Sequence, residues 1–133
     1  MTGSANHWAG ATEPHCPVLT DYFDRLDGRG PASVVELLAP DFRFVALWGE
    51  DEAARQSSGG PSELRAYFAS RDGTGQRHHV LEAKASSASE LAVGYTTRDG
   101  SPLASFMIIV QLDDSGRIRR MLAARSAAMS LLD

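Results

Sequence analysis

A single cysteine, Cys16, stands in this chain of 133 residues, so no disulfide can close within it and cysteine-based zinc patterns are excluded. A reducing, cytoplasmic setting is the expectation. Long apolar runs are missing too. Phe106 to Val110, a run as long as any in the sequence, falls far short of the ~20 residues a membrane helix needs, and the N-terminus lacks the charged-then-apolar pattern of a signal peptide. Neither export nor a membrane span is expected. Basic charge is in deficit: 13 Lys and Arg against 17 Asp and Glu leave a net charge of −4, with only Arg117, Arg119 and Arg120 clustered. That disfavours nucleic acid as a partner. No P-loop, no G-x-G-x-x-G after a strand, no G-x-S-x-G elbow and no H-E-x-x-H occurs, and neither cofactor nor metal is expected. Internal repeats and low-complexity tracts are absent as well.

What is present is the material of one domain. Charged residues at 23% and hydrophobic residues at 43% are near the averages of a globular protein, and the length suits a single core. Residues 1–15 show neither helical nor strand period and read as a tail, in which Trp8 is the oddity, able to dock on the domain or on a neighbouring subunit. Residues 16–133 form the predicted domain. Val18, Leu19, Tyr22, Phe23 and Leu26 recur at helical spacing from Pro17, with Asp21, Asp24, Arg25 and Asp27 on the other face and Gly28 as the stop. A second short helix starts at Pro31, turns Val34, Val35, Leu37 and Leu38 to the core and cannot pass Pro40. Phe42 to Trp48 reads as a strand. The stretch GEDEAARQSSGG reads as a polar loop, and PSELRAYFASR as a third helix ended by Asp72 to Gln76. Four strands follow, His78–Ser87, Leu91–Arg98, Leu103–Leu112 and Arg117–Ser126, joined by SSASE, DGSP and DDSG, two of which carry Gly where a hairpin needs positive φ.

The segments YFDRLDGRGPASVVELLAPDFRFVALWG and LDDSGRIRRMLAARS resemble the first two helices and first strand, and the last hairpin, of ketosteroid isomerases. The chain from Pro17 to about Ser126 is thereby similar to the SnoaL-like, nuclear transport factor two-like superfamily, which also holds polyketide cyclases, limonene epoxide hydrolases and scytalone dehydratases. The resemblance implies an α+β cone, a curved mixed sheet wrapping three N-terminal helices around a central pocket. It does not imply one function, because that superfamily includes enzymes, binding domains and transport adaptors.

Carried across residue by residue, the resemblance places the isomerases' phenol on Tyr22, their base on Ala46 and their second acid on Ile108. Two of three catalytic groups are apolar, so a steroid isomerase mechanism is not expected. Tyr22 is then either an oxyanion donor or a core tyrosine. Arg125 falls where relatives carry an aromatic on the pocket floor, in a strand alternating Met121, Ala123, Arg125. Either it faces inward and holds an anionic group, or it reaches solvent at the strand end. His79 shares the alternation of Leu81, Ala83 and Ala85, which predicts it inward and His78 outward. As a pocket histidine it would move the proton; otherwise it is a satisfied edge residue. Trp48 would close the pocket mouth, Gly94 and Thr96 would enlarge the cavity, and Phe106, Ile108 and Met121 would line it. The acidic run Glu50, Asp51, Glu52 is a rim base or simply solvated.

Three functions fit these residues. One is a small-molecule enzyme working by proton transfer on an apolar carbonyl or polyketide-type substrate, as cyclase, isomerase, dehydratase or hydrolase, with Tyr22, His79 and Arg125 as its catalytic groups. Another is a non-catalytic domain that binds such a molecule, and the third is a dimerisation domain with a vestigial pocket. Met107 and Ile109, alternating against Phe106, Ile108 and Val110, predict an apolar outer sheet face and a homodimer through the sheet.

Overall fold

The computed structural model describes residues 15–49, 54–70 and 75–131. The tail with Trp8, the acidic run Glu50 to Glu52 and most of the Asp72–Gln76 turn lie outside them. Helix α1, Pro17–Asp24, passes directly into a π-helical turn, Arg25–Arg29, and a 3-10 helix, Pro31–Leu37, leads straight into strand β1, Leu38–Gly49. Strand β2, Ala54–Gly59, and helix α2, Pro61–Ala69, come next. The meander then runs through β3, Gln76–Ala85, β4, Ser89–Arg98, β5, Ser101–Leu112, and β6, Ile118–Ser126. The six strands form one curved mixed sheet in the order β2-β1-β6-β5-β4-β3, parallel only where β1 meets β6. The expected α+β cone is the fold observed.

Two expectations about elements are corrected. The second helix is 3-10 and ends at Leu37, while Pro40 lies inside β1 where its register against β6 shifts. A strand accepts proline at such an irregularity because no ladder hydrogen bond is lost. Ala54 to Gly59, expected as loop, is the edge strand β2, paired with β1 from Phe44–Gly59 to Gly49–Ala54. Its ARQSSG sequence has no apolar alternation, so backbone pairing to β1 builds it rather than side-chain burial.

The core fills the space between the helices and the concave face of the sheet. Leu19, Tyr22 and Phe23 of α1, Leu64 and Phe68 of α2, and Phe42, Phe44, Phe106, Ile108, Val110 and Met121 of the sheet are all buried there. At the far end of β4, Glu90 anchors α1. Cys16, the residue before the helix, makes no side-chain cap. Instead Val18 N–H and Leu19 N–H donate to the two carboxylate oxygens of Glu90 at 3.0 and 2.8 Å. A residue 71 positions away thus supplies the acceptor that a capping side chain normally provides. At α2 the corresponding role falls to Glu63, which accepts from Gly60 N–H at 2.7 Å. This hydrogen bond holds the Glu63 carboxyl below its ordinary range. Its stabilising effect is therefore present above the ordinary carboxylate range and fades as acidification protonates it.

Truncation of Glu90 leaves two backbone donors of α1 without their acceptors. Glu90→Ala should destabilise the fold by about 2–4 kcal/mol, given what charge-assisted hydrogen bonds and lost caps cost. Urea unfolding measures it, and a loss under about 1 kcal/mol would show that the anchor is not needed.

Candidate active site

The site forms where α1 hands over to the π-helical turn. A π turn accommodates one more residue than an α turn, which rotates the residues beyond it by roughly 100° relative to an α-helix. Asp27 sits in that turn. Arg25 holds the turn in place: Nε donates to Asp21 at 2.9 Å, and Nη1 donates to the Ser33 carbonyl and to Glu36, each at 2.8 Å. So restrained, the Asp27 carboxylate meets the start of β3. Oδ2 accepts the backbone N–H of His78 at 2.7 Å, and Oδ1 lies 2.8 Å from His78 Nδ1. An ionised carboxylate only accepts, so Nδ1 carries the proton of this bond and the neutral ring keeps its lone pair on Nε2.

The imidazole is packed on two sides. It stacks on Phe23 with centroids 4.6 Å apart and meets the edge of Phe106 at 5.4 Å. Its side chain is 10% exposed and that of Asp27 12%. Here the structure corrects the expected facing of the two histidines: His78, and not His79, lines the interior cavity. His79 lies on the other face, stacked on Tyr95 at 4.7 Å with Nε2 2.9 Å from Thr97 Oγ1. The reason is a bulge. Val80 pairs with Gly94 but Glu82 pairs with Val93, which leaves Leu81 as an extra residue. The alternation of Ala83 applies beyond the bulge, and the phase is inverted before it.

The interior cavity is narrow, about 60 Å3, and lies between the helices and the sheet. Tyr22, His78, Phe106, Ile108, Met121 and Arg125 all contribute to its lining. Arg125 therefore faces inward, opposite Phe106 and beside Trp48 in the sheet register. The Tyr22 hydroxyl donates to Met121 Sδ at 3.7 Å, a weak acceptor. Ala46 and Ile108, onto which the resemblance carries a base and a second acid, both line the cavity as apolar side chains.

The remaining expected site residues lie elsewhere. Gly94 and Thr96 are on the inner face but not at the cavity, and Gly94 does not enlarge it: a Cβ there would run into the His79 carbonyl and come within 3.0 Å of the Phe106 ring. The glycine admits the bulged backbone of β3. Thr96 is buried with its hydroxyl 3.4 Å from the Ala104 carbonyl. Trp48 borders a second hollow of about 250 Å3 at the strand ends, shared with Leu103, Ala104, Ala127 and Arg125. One face of its ring carries the Arg55 guanidinium, 5.1 Å away. A further hollow, about 500 Å3, is an open groove on the convex side near Arg43, Ile109, Arg120 and Leu122, and among the described residues neither a carboxylate nor a histidine lines it. Chemistry points to the smaller interior cavity.

Cys16 is buried, and burial pushes its thiol up, away from the reactive thiolate. Among the described residues no three His, Cys, Asp or Glu side chains gather where they could hold a metal ion, and no helix is long and apolar enough to cross a membrane. Asp27 is the candidate site residue that sequence periodicity misses, because an ideal α-helix would leave it on the polar face. The glycines at 28 and 30 are the only local sign that the helix does not continue regularly.

No protein-family model and no curated protein matches the chain. Solved structures do. A candidate polyketide cyclase of Sinorhizobium meliloti is 20% identical, covering 82% of this chain and 94% of its own, with a TM-score of 0.55. A candidate isomerase of the SnoaL-like family from Agrobacterium tumefaciens is 16% identical over the same shares, with a TM-score of 0.60. An NTF2-like protein of unknown function from Cytophaga hutchinsonii is 11% identical, covering 86% of this chain and 93% of its own, at 0.55. The chain has the SnoaL-like, NTF2-like cone fold. At such identities the likeness concerns the fold alone, so a function has to be argued from the chain's own side chains.

Proposed function

We propose that the protein is a small-molecule enzyme that moves a proton beside a carbonyl or enol of an apolar, polyketide-type substrate, as a cyclase, isomerase, dehydratase or hydrolase of that chemistry. The observation that carries this reading is the Asp27–His78 pair at a mainly apolar cavity whose wall also includes Tyr22, Tyr67 and Arg125. In the proposed step Nε2 of His78 takes a proton from the carbon beside the carbonyl. The C–H electron pair becomes the carbon–carbon π bond and the carbonyl pair moves to oxygen. Arg125 and the Tyr22 hydroxyl balance the charge on that oxygen, and His78 returns the proton to product. Asp27 keeps Nδ1 protonated and steadies the imidazolium, acting as a positioning residue.

The outer face supports a sheet-to-sheet homodimer. Leu47, Met107, Ile109 and Leu122 point away from the helices there and are 42%, 59%, 42% and 50% exposed. Ile109 and Leu122 are direct partners between β5 and β6, so these side chains form one patch rather than isolated exposures.

Two experiments test these statements. Proton exchange or turnover on an aryl 1,3-dicarbonyl should fall ~100- to 10,000-fold in His78→Ala, the range for a lost general acid/base, and stay near the parent value in His79→Ala. Full activity in His78→Ala would remove His78 from the mechanism. Light scattering at micromolar concentration should give a dimer that Ile109→Glu converts to monomer, whereas a monomeric parent would contradict the sheet interface.

A further inference from the structure

Arg125 lines two hollows of unequal size, and this disparity restricts what can bind. The interior cavity beside His78 has about 60 Å3. At the ~15 Å3 a water-sized group occupies by this measure, it takes about four non-hydrogen atoms. The hollow at the strand ends, bounded by Trp48 and Leu103, has about 250 Å3, roughly four times as much. Six aromatic side chains, Tyr22, Phe23, Phe44, Tyr67, Phe68 and Phe106, stand in the wall of the small one, in contact with one another as well as with the cavity. A close-packed aromatic wall does not widen for a ring without losing those contacts.

We infer that the substrate is an asymmetric 1,3-dicarbonyl with one short end, of acetyl size, and one bulky apolar end, aryl or extended alkyl. The short end enters beside His78 and Tyr22. The oxygen next to the bulky end lies at Arg125, and the bulky end occupies the hollow between Trp48 and Leu103. The carbon between the two carbonyls, the most acidic in such a molecule, then stands on the His78 side of Arg125. This inference rests on the proton-transfer reading of the same site and adds to it which end goes where.

Equilibrium dialysis of the full chain with three probes tests the size rule without any need for turnover. Benzoylacetone, one phenyl and one methyl end, should bind at least about tenfold more tightly than acetylacetone, because its ring adds buried apolar area. Dibenzoylmethane, a phenyl at each end, should bind at least about tenfold more weakly than benzoylacetone, its second ring being too large for the inner cavity. Leu103→Trp, which fills the outer hollow, should weaken benzoylacetone and leave acetylacetone unchanged. Equal affinity for benzoylacetone and dibenzoylmethane, or no measurable binding of benzoylacetone, overturns the inference in the parent protein alone. Deuterium exchange at the central carbon separates the two claims: the predicted binding order without exchange defeats the proton-transfer reading, and exchange without the binding order defeats the size rule.

Discussion

The two hydrogen bonds that Asp27 accepts from His78, one from the backbone and one from the ring, are the constraint on which the site depends. A hydrogen bond to a charged group contributes about 1.5–3 kcal/mol, and both bonds here are largely shielded from solvent. One carboxylate therefore fastens the end of the first helical segment to the start of β3 and fixes the ring in the same act. Without it the imidazole would keep only its ring contacts with Phe23 and Phe106. The Arg25 contacts to Asp21, Ser33 and Glu36 stand one step behind, since they hold the π-helical turn from which Asp27 projects.

A second anchor sets the other end of the helix. Glu90 of β4 binds the first turn of α1, while Asp27 binds β3 from the π-helical turn that follows it. The helix is thus pinned to neighbouring strands at both ends, and Tyr22 and Phe23 between the pins are held over the sheet. The cavity is narrow for the same reason. Its walls are packed aromatic side chains on elements that cannot separate independently, so shape, and not only polarity, selects what enters.

Much of this architecture is legible in the sequence, and what is not has identifiable causes. Apolar spacing finds α1, α2 and the last four strands because each buries one face. The alternation Met121, Ala123, Arg125 leaves open whether Arg125 turns inward or reaches solvent, and the structure has it lining the cavity opposite Phe106. β2 escapes detection because ARQSSG is an edge strand made by backbone pairing. His78 and His79 are exchanged because Leu81 is an unpaired bulge residue, and a one-residue slip inverts every side chain before it. Asp27 escapes because a π turn changes the helical phase without an unmistakable sequence mark. Both errors fall at the site, where local regularity is broken to aim side chains. Ala46 and Ile108, by contrast, are apolar in the sequence and line the cavity in the structure.

This cone lacks carboxylates at the positions its isomerase-like resemblance would fill, and presents instead an imidazole backed by a carboxylate, with a phenol and a guanidinium on the same cavity. The most direct test is the nitrogen-15 NMR spectrum of His78 in its neutral form, assigned by comparison with His78→Gln. The predicted spectrum shows a protonated Nδ1 bonded to Asp27 and an unprotonated Nε2, with the order lost in Asp27→Asn. A ring protonated on Nε2, with Nδ1 bare, would contradict the pairing of Asp27 with His78 as the source of the base.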